Sequence, residues 1–189
     1  MTPVDPSGLS EAVTDADLVR RTLAGSPHAF EVLVDRHYGS CLRYAARLLG
    51  NREDAEEACQ DTFLRAFRAL HSYSESDRFG AWLYRILVNR CRTYAARRRG
   101  SMEDATDSDA MALLSVSRPP DTDHLGLREE LSRAIGQLDL EYREAFLLKH
   151  VDDLSYDEMS AITGVGVSAL KMRVKRACDR LRTLLTDLP

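Results

Sequence analysis

Apolar side chains in this chain recur three and four positions apart, and nowhere alternate over a convincing length. Every packed face it can build is therefore a helix stripe rather than one side of a strand. Pro27 suits a helix start, and Phe30, Leu33, Val34, Cys41, Leu42, Ala45, Leu48 and Leu49 then repeat at helical spacing up to Gly50. Asn51 is placed to cap the next helix, whose acidic first turn (Glu53, Asp54) suits the helix dipole. Its stripe reads Ala55, Ala58, Cys59, Thr62, Phe63, Ala66, Phe67 and Leu70, and a third strong helix carries Phe79, Trp82, Leu83, Ile86, Leu87 and Tyr94.

The helical pattern stops in one stretch. "GSMEDATDSDAMALLSVSRPPDTD" is rich in Ser, Asp and Thr and contains Pro119-Pro120, a composition that favours an extended linker. It divides the chain into residues 1–100, a flexible acidic linker over 101–126, and a smaller unit over 127–189. The expected fold is all-α: two small helical domains. In the second, "LREELSRAIGQL" and "LEYREAFLLKHV" are amphipathic, and Ser155 with Glu158 forms a capping box opening a third helix. Gly164 supplies a left-handed stop, and Ser168 is placed to cap a fourth helix with Leu170, Val174, Ala177 and Leu181 buried.

A short helix, a glycine turn and a second helix with a basic face is how helix-turn-helix proteins meet DNA. The formal net charge of −4 argues against that until the charge is mapped. Residues 78–100 hold seven arginines (Arg78, Arg85, Arg90, Arg92, Arg97, Arg98, Arg99) and no acid, and residues 163–189 hold six basic residues against two acidic ones. The linker between them carries six acidic residues and only Arg118, and the remaining excess of acid lies before residue 78 and in residues 125–162. Two basic surfaces therefore hide inside an acidic total. On the last helix Ser168, Lys171, Met172, Arg173, Lys175 and Arg176 are the candidates for duplex DNA: Arg and Lys reach base edges and phosphates, and Ser168 sits at a helix start. On the earlier basic helix Arg85, Asn89 and Arg92 follow i, i+4, i+7 spacing on one polar face.

Other chemistry finds no support. Cys41, Cys59, Cys91 and Cys178 form no CxxC pair and the five histidines no ligand spacing, so buried reduced thiols are expected and no metal or cofactor. Neither a phosphate loop nor a nucleophile elbow occurs, which points away from an enzyme with a small-molecule substrate. The N-terminus lacks the basic segment and apolar core of a secretion signal, so a cytoplasmic location is expected.

Two segments in order carry a family resemblance. "DAEEACQDTFLRAFRAL" followed by "RFGAWLYRILVNRCRTYAARRR" resembles domain two of the extracytoplasmic-function (ECF) sigma factors of bacterial RNA polymerase. "LDLEYREAFLLKHVDDLSYDEMSAITGVGVSALKMRVKRACDRL" resembles their domain four, with Ser160 and Ala169-Leu170 departing from the family's usual residues. The resemblance implies docking on core polymerase, at its β′ clamp and β flap, with Asp54, Glu57, Gln60, Asp61, Leu64 and Arg65 at the clamp. It implies capture of the opened −10 strand by Tyr73, Ser74, Arg85, Asn89 and Arg92, with "SYSES" as the base-pocket loop. It implies reading of the −35 duplex by the last helix, and control by an anti-sigma factor. The alternative is a stand-alone helix-turn-helix regulator, which leaves "DTFLRAF" and "WLYRILVNR" without purpose.

Overall fold

The structure, a computed structural model, describes residues 13–74, 78–101 and 125–186. Helices account for nearly all of them: α1 (Asp15–Leu23), α2 (Pro27–Leu49), α3 (Arg52–Ala69), a 3-10 turn (Leu70–Ser72), α4 (Phe79–Ser101), α5 (Leu125–Gly136), α6 (Leu140–His150), α7 (Tyr156–Thr163) and α8 (Val167–Thr186). Most of the linker, residues 75–77 of the "SYSES" region and the side chain of Arg99 lie outside the described residues.

Helix boundaries follow local chemistry. Pro27 stands at the first turn of α2, where its missing N–H costs no hydrogen bond, and Gly50 ends that helix at φ 77°. The Asn51 side-chain oxygen accepts from the Asp54 N–H at 2.7 Å, as its position implied. Helix α1 is an element the apolar spacing did not disclose. Thr14 and Asp17 form its capping box, and Asp15 ties it to α2 through Arg36 (3.0 Å) and His37 (2.8 Å). In α7 the box of Ser155 and Glu158 is present, and Gly164 closes the helix at φ 71°, a conformation only glycine takes cheaply. The two hydrogen bonds from Ser155 hold the Glu158 carboxyl below its usual range.

One expectation about the turn needs correction. Helix α8 begins at Val167, and the Leu170 N–H donates to the Gly166 carbonyl at 3.0 Å. The residue whose carbonyl takes the first intrahelical bond is the cap, so Gly166 holds that position and Ser168 lies one residue inside the helix.

In the N-terminal unit α2, α3 and α4 pack side by side with α1 against α2. Cys41, Tyr44, Ala45, Leu48, Ala58, Cys59, Leu83, Leu87, Val88 and Cys91 are buried in its centre. Thr62 is buried too, its hydroxyl donating to the Ala58 carbonyl at 2.7 Å, whereas the buried Tyr44 hydroxyl has no hydrogen-bond partner. Cys41, Cys59 and Cys91 are the buried free thiols expected, and burial pushes the Cys59 thiol up to about 12, far from reactive. Cys178 is only partly covered.

The C-terminal unit wraps α8 with α5, α6 and α7. Leu170, Val174, Ala177 and Leu181 are all buried, as their spacing required, and a fully buried aliphatic side chain contributes roughly 1.5–3 kcal/mol. The apolar cluster of the N-terminal unit runs on without a break into Leu147, Leu148, Met159, Ile162, Leu170 and Val174. The two units therefore share one core across α4–α7 and α2–α6, rather than standing apart on a tether.

Candidate nucleic-acid interface

Helix α4 carries the first basic face. Its inner side is fixed by Phe79, Trp82, Leu83, Leu87 and Val88, all buried, which forces Arg85, Asn89 and Arg92 outward. Outward here means towards the C-terminal unit. The Arg92 guanidinium makes a two-pronged ion pair with Glu144 of α6, Nε to Oε2 at 2.8 Å and Nη2 to Oε1 at 2.7 Å. Its remaining nitrogen, Nη1, donates to the Thr163 carbonyl at 3.2 Å. Two turns earlier, Arg85 Nε donates to the Ala161 carbonyl at 3.1 Å.

Both carbonyls belong to the last turn of α7, where no intrahelical donor is available and the helix dipole is negative. Two arginines of α4 thus cap the first helix of the helix-turn-helix. Glu144 is only 3% exposed, and the planar guanidinium fork matches both its oxygens. The pair holds the Arg92 pKa above its ordinary value, the hydrogen bond being the larger cause. Asn89, between the two arginines in spacing, remains exposed.

Tyr73 and Ser74 stand at the edge of this face. The Tyr73 ring is half-buried, edge-on to Phe79 (5.9 Å between centroids) and Trp82 (5.5 Å), so part of its stacking surface is already used. Ser74 is exposed. A cleft of about 710 Å³ opens beside them, lined by Asp15, Tyr73, Phe79, Tyr84, Asp152 and Glu158 among others. On its wall the Tyr84 hydroxyl donates to Asp152 Oδ1 at 3.1 Å, while Asp152 Oδ2 has no partner. Burial raises the Asp152 carboxyl to about 6 despite that hydrogen bond and the nearby Arg47 and Arg43.

Helix α8 carries the second basic face, and its circumstances are the reverse. Ser168, Lys171, Met172, Lys175 and Arg176 are exposed, Met172 to 51%. Arg173 is the exception: it turns back to Glu141 of α6 at 2.8 Å and is 27% exposed. Arg176 Nη1 lies 3.3 Å from the Tyr142 hydroxyl, and Lys171 sits 5.6 Å from the centre of the Tyr156 ring, contacts that leave both cations on the surface.

The third surface is the outer side of α3. Glu57, Gln60, Leu64 and Arg65 are exposed, Leu64 to 57%. Asp61 is held by Arg65 (3.0 Å) and Arg90 (3.5 Å), and the Asp54 carboxylate accepts from the Asn51 side-chain amide at 2.5 Å. Sequence spacing put Phe67 in the buried stripe, yet it is 50% exposed, its ring meeting Phe30 edge-on at 5.0 Å. Phe67 falls at the border of the stripe, where periodicity alone does not separate inside from outside. With Leu64 it forms an exposed apolar pair on an otherwise charged surface.

Among the described residues there is no cluster of metal-ligating side chains, and no helix is long and apolar enough to cross a membrane.

Comparison with known proteins shows the family. Residues 33–101 match Sigma-70 region 2, and residues 128–181 match Sigma-70 region 4. The ECF RNA polymerase sigma-E factor of Escherichia coli (strain K12) is 34% identical over 186 residues, covering 92% of this chain and 95% of that one. ECF RNA polymerase sigma factor EcfG of Rhodopseudomonas palustris (strain TIE-1) is 37% identical over 142 residues, 75% of this chain and 77% of that protein. Among solved structures, CnrH in complex with the cytosolic domain of CnrY is 30% identical with a TM-score of 0.67, covering 92% of this chain and 99% of that one. The sigma factor RpoE in complex with the anti-sigma factor NepR from Bartonella quintana is 26% identical with a TM-score of 0.70, covering 85% and 98%. Both likenesses extend over most of the chain. With region 2 on the N-terminal unit, region 4 on the C-terminal one and near full-length kinship to sigma-E, this chain belongs to the ECF sigma factors.

Proposed function

We propose that the chain binds core RNA polymerase and directs it to promoters, with α3 docking on the polymerase, α4 engaging the opened −10 strand and α8 reading the −35 duplex. The observation that carries this is the presence of two separate basic helix faces in a chain of this family, one on each unit. Arginines neutralise phosphates, and Asn89 can both donate and accept at a base edge. On α8, Lys171, Met172, Lys175 and Arg176 form the exposed face that enters a major groove, with Ser168 near its start. On α3, Asp54, Glu57, Gln60, Asp61 and Arg65 surround the exposed pair Leu64 and Phe67, an apolar centre with a charged rim such as protein interfaces use.

Polymerisation chemistry belongs to the polymerase in this reading, and the chain supplies binding energy for recognition and strand opening. An anti-sigma factor is its regulatory partner, as in the complex of RpoE with the anti-sigma factor NepR. The decisive experiment is capture of purified core polymerase by the tagged chain, followed by run-off transcription from genomic promoter fragments. Retention of core and promoter-dependent transcripts are expected. Tight sequence-specific binding of duplex DNA by the chain alone, with no retention of core, would overturn the reading.

A further inference from the structure

We propose that Tyr142 of α6 and Tyr156 of α7 are positioning residues for duplex recognition, holding Arg176 and Lys171 of α8 in the orientations in which these cations meet DNA. The inference rests on the proposed reading of duplex DNA by α8, and adds the residues outside that helix which prepare it.

Each tyrosine is anchored before it touches a cation. Tyr142 stands in the first turn of α6, and its ring packs against Ala134, Leu138, Ala177 and Leu181, the small apolar cluster between α5 and α8. Tyr156 opens α7 directly after the Ser155 cap, and its ring packs against the main core. Both side chains are half-buried, so the apolar side of each ring is fixed while its polar part stays within reach of α8.

The two offer different chemistry. Tyr142 offers its hydroxyl oxygen, to which Arg176 Nη1 donates at 3.3 Å. One such bond occupies one of five guanidinium N–H groups and leaves the others for a phosphate or a guanine edge. Tyr156 offers its ring, with Lys171 Nζ over it at 5.6 Å from the centre. That attraction consumes no donor, so the three N–H groups of the ammonium stay available. Lys149 Nζ lies 5.4 Å from the same ring but donates to the Leu154 carbonyl at 3.0 Å, which ties it to its own loop.

Glu141 supplies the contrast from the same turn as Tyr142. Its carboxylate takes Arg173 at 2.8 Å and draws it back to 27% exposure. A carboxylate neutralises the cation it holds, whereas a tyrosine orients a cation and leaves its charge intact. The first turn of α6 thus sorts the arginines of α8: Arg173 is retained and Arg176 is presented. Long cationic side chains lose rotamer freedom when they bind, and restraint beforehand reduces that loss.

The test uses the full chain bound to core polymerase and a fluorescent duplex promoter fragment, chosen from those transcribed in the run-off assay. Tyr142→Phe keeps the packed ring and removes only the hydroxyl. It is expected to weaken duplex binding by about threefold, the scale of ordering one long side chain. In an Arg176→Ala background the same change should have no effect, since the hydroxyl acts through that guanidinium. Tyr156→Leu should weaken binding by a similar factor but be silent in a Lys171→Ala background. Tyr156→Phe, which keeps the ring, should bind as the unaltered chain does. Undiminished binding in Tyr142→Phe or in Tyr156→Leu would overturn the assignment of that tyrosine. An equal loss with and without the cation would also overturn it, because the tyrosine would then act only through the fold. Arg176→Ala and Lys171→Ala, measured alone, tell these failures from failure of the functional reading: if neither weakens duplex binding, α8 is not the reading helix.

Discussion

The arginine face of α4 and the lysine-arginine face of α8 are alike in composition and opposite in circumstance. Each is a polar stripe on a helix whose other side is buried, and each carries cations at helical spacing. On α8 those cations face solvent, apart from Arg173. On α4, Arg85 and Arg92 already have acceptors, supplied by the very unit that carries α8. A basic stripe states only that a helix can bind anions. Which anion it holds in the free protein depends on what the fold brings within reach.

Four substitutions or conditions would break or sharpen that contrast. The largest effect is expected from Arg92→Ala, which strands the Glu144 carboxylate. Removing one partner of a buried ion pair costs ~3–5 kcal/mol, and here the units can escape the cost by separating. Hydrogen exchange should show fast opening at α6 and α7 while α2 and α3 stay protected. Uniform loss of protection would mean that the units do not part as bodies. Arg176→Ala on α8 should leave that exchange pattern untouched and weaken duplex binding of the holoenzyme by ~1–3 kcal/mol, measured on a promoter fragment. If it instead loosened α6 and α7, the two faces would not be independent.

The third is a pH dependence. Closure buries Asp152 against Tyr84 of α4, with Arg43 and Arg47 of α2 nearby, and raises its carboxyl from 3.8 to about 6. The closed form therefore holds the proton more tightly. Its contribution is fully present below the ordinary carboxylate range and is lost as pH rises through about 6. Lowering the pH from 7 to 5 should strengthen closure by about 1 kcal/mol, read as reduced exchange in α6 and α7. Asp152→Asn should flatten that slope. The smallest effect on closure is expected from Asn89→Ala, an exposed side chain whose loss should change stability by no more than about 0.5 kcal/mol. Transcription from a promoter pre-melted around −10 should nonetheless fall relative to a −35 mutant control, because that residue is assigned to the strand. Equal activity on both templates would remove Asn89 from the −10 face.

Much of this molecule was legible in the residues. The helix starts at Pro27 and Asn51, the Ser155–Glu158 box, the Gly164 stop and the buried stripe of α8 all stand as their spacing indicated, because capping and amphipathicity are local properties. Helix α1 went unread for want of a long apolar stripe, although Thr14 and Asp17 spell a capping box. Phe67 was misplaced because it lies at the edge of its stripe, and Ser168 because Gly166, with no side chain to signal it, took the cap.

By itself, then, the sequence determined an all-helical chain with two basic faces and the family motifs that assign them. The tertiary structure alone decided that the two helical units share one core, that Glu144 is buried, and that Arg92 answers it from a residue 52 positions away. The reason is physical. Periodicity fixes which side of a helix is wet or dry, but the partner of a charged side chain is chosen by long-range packing, and no local pattern encodes it.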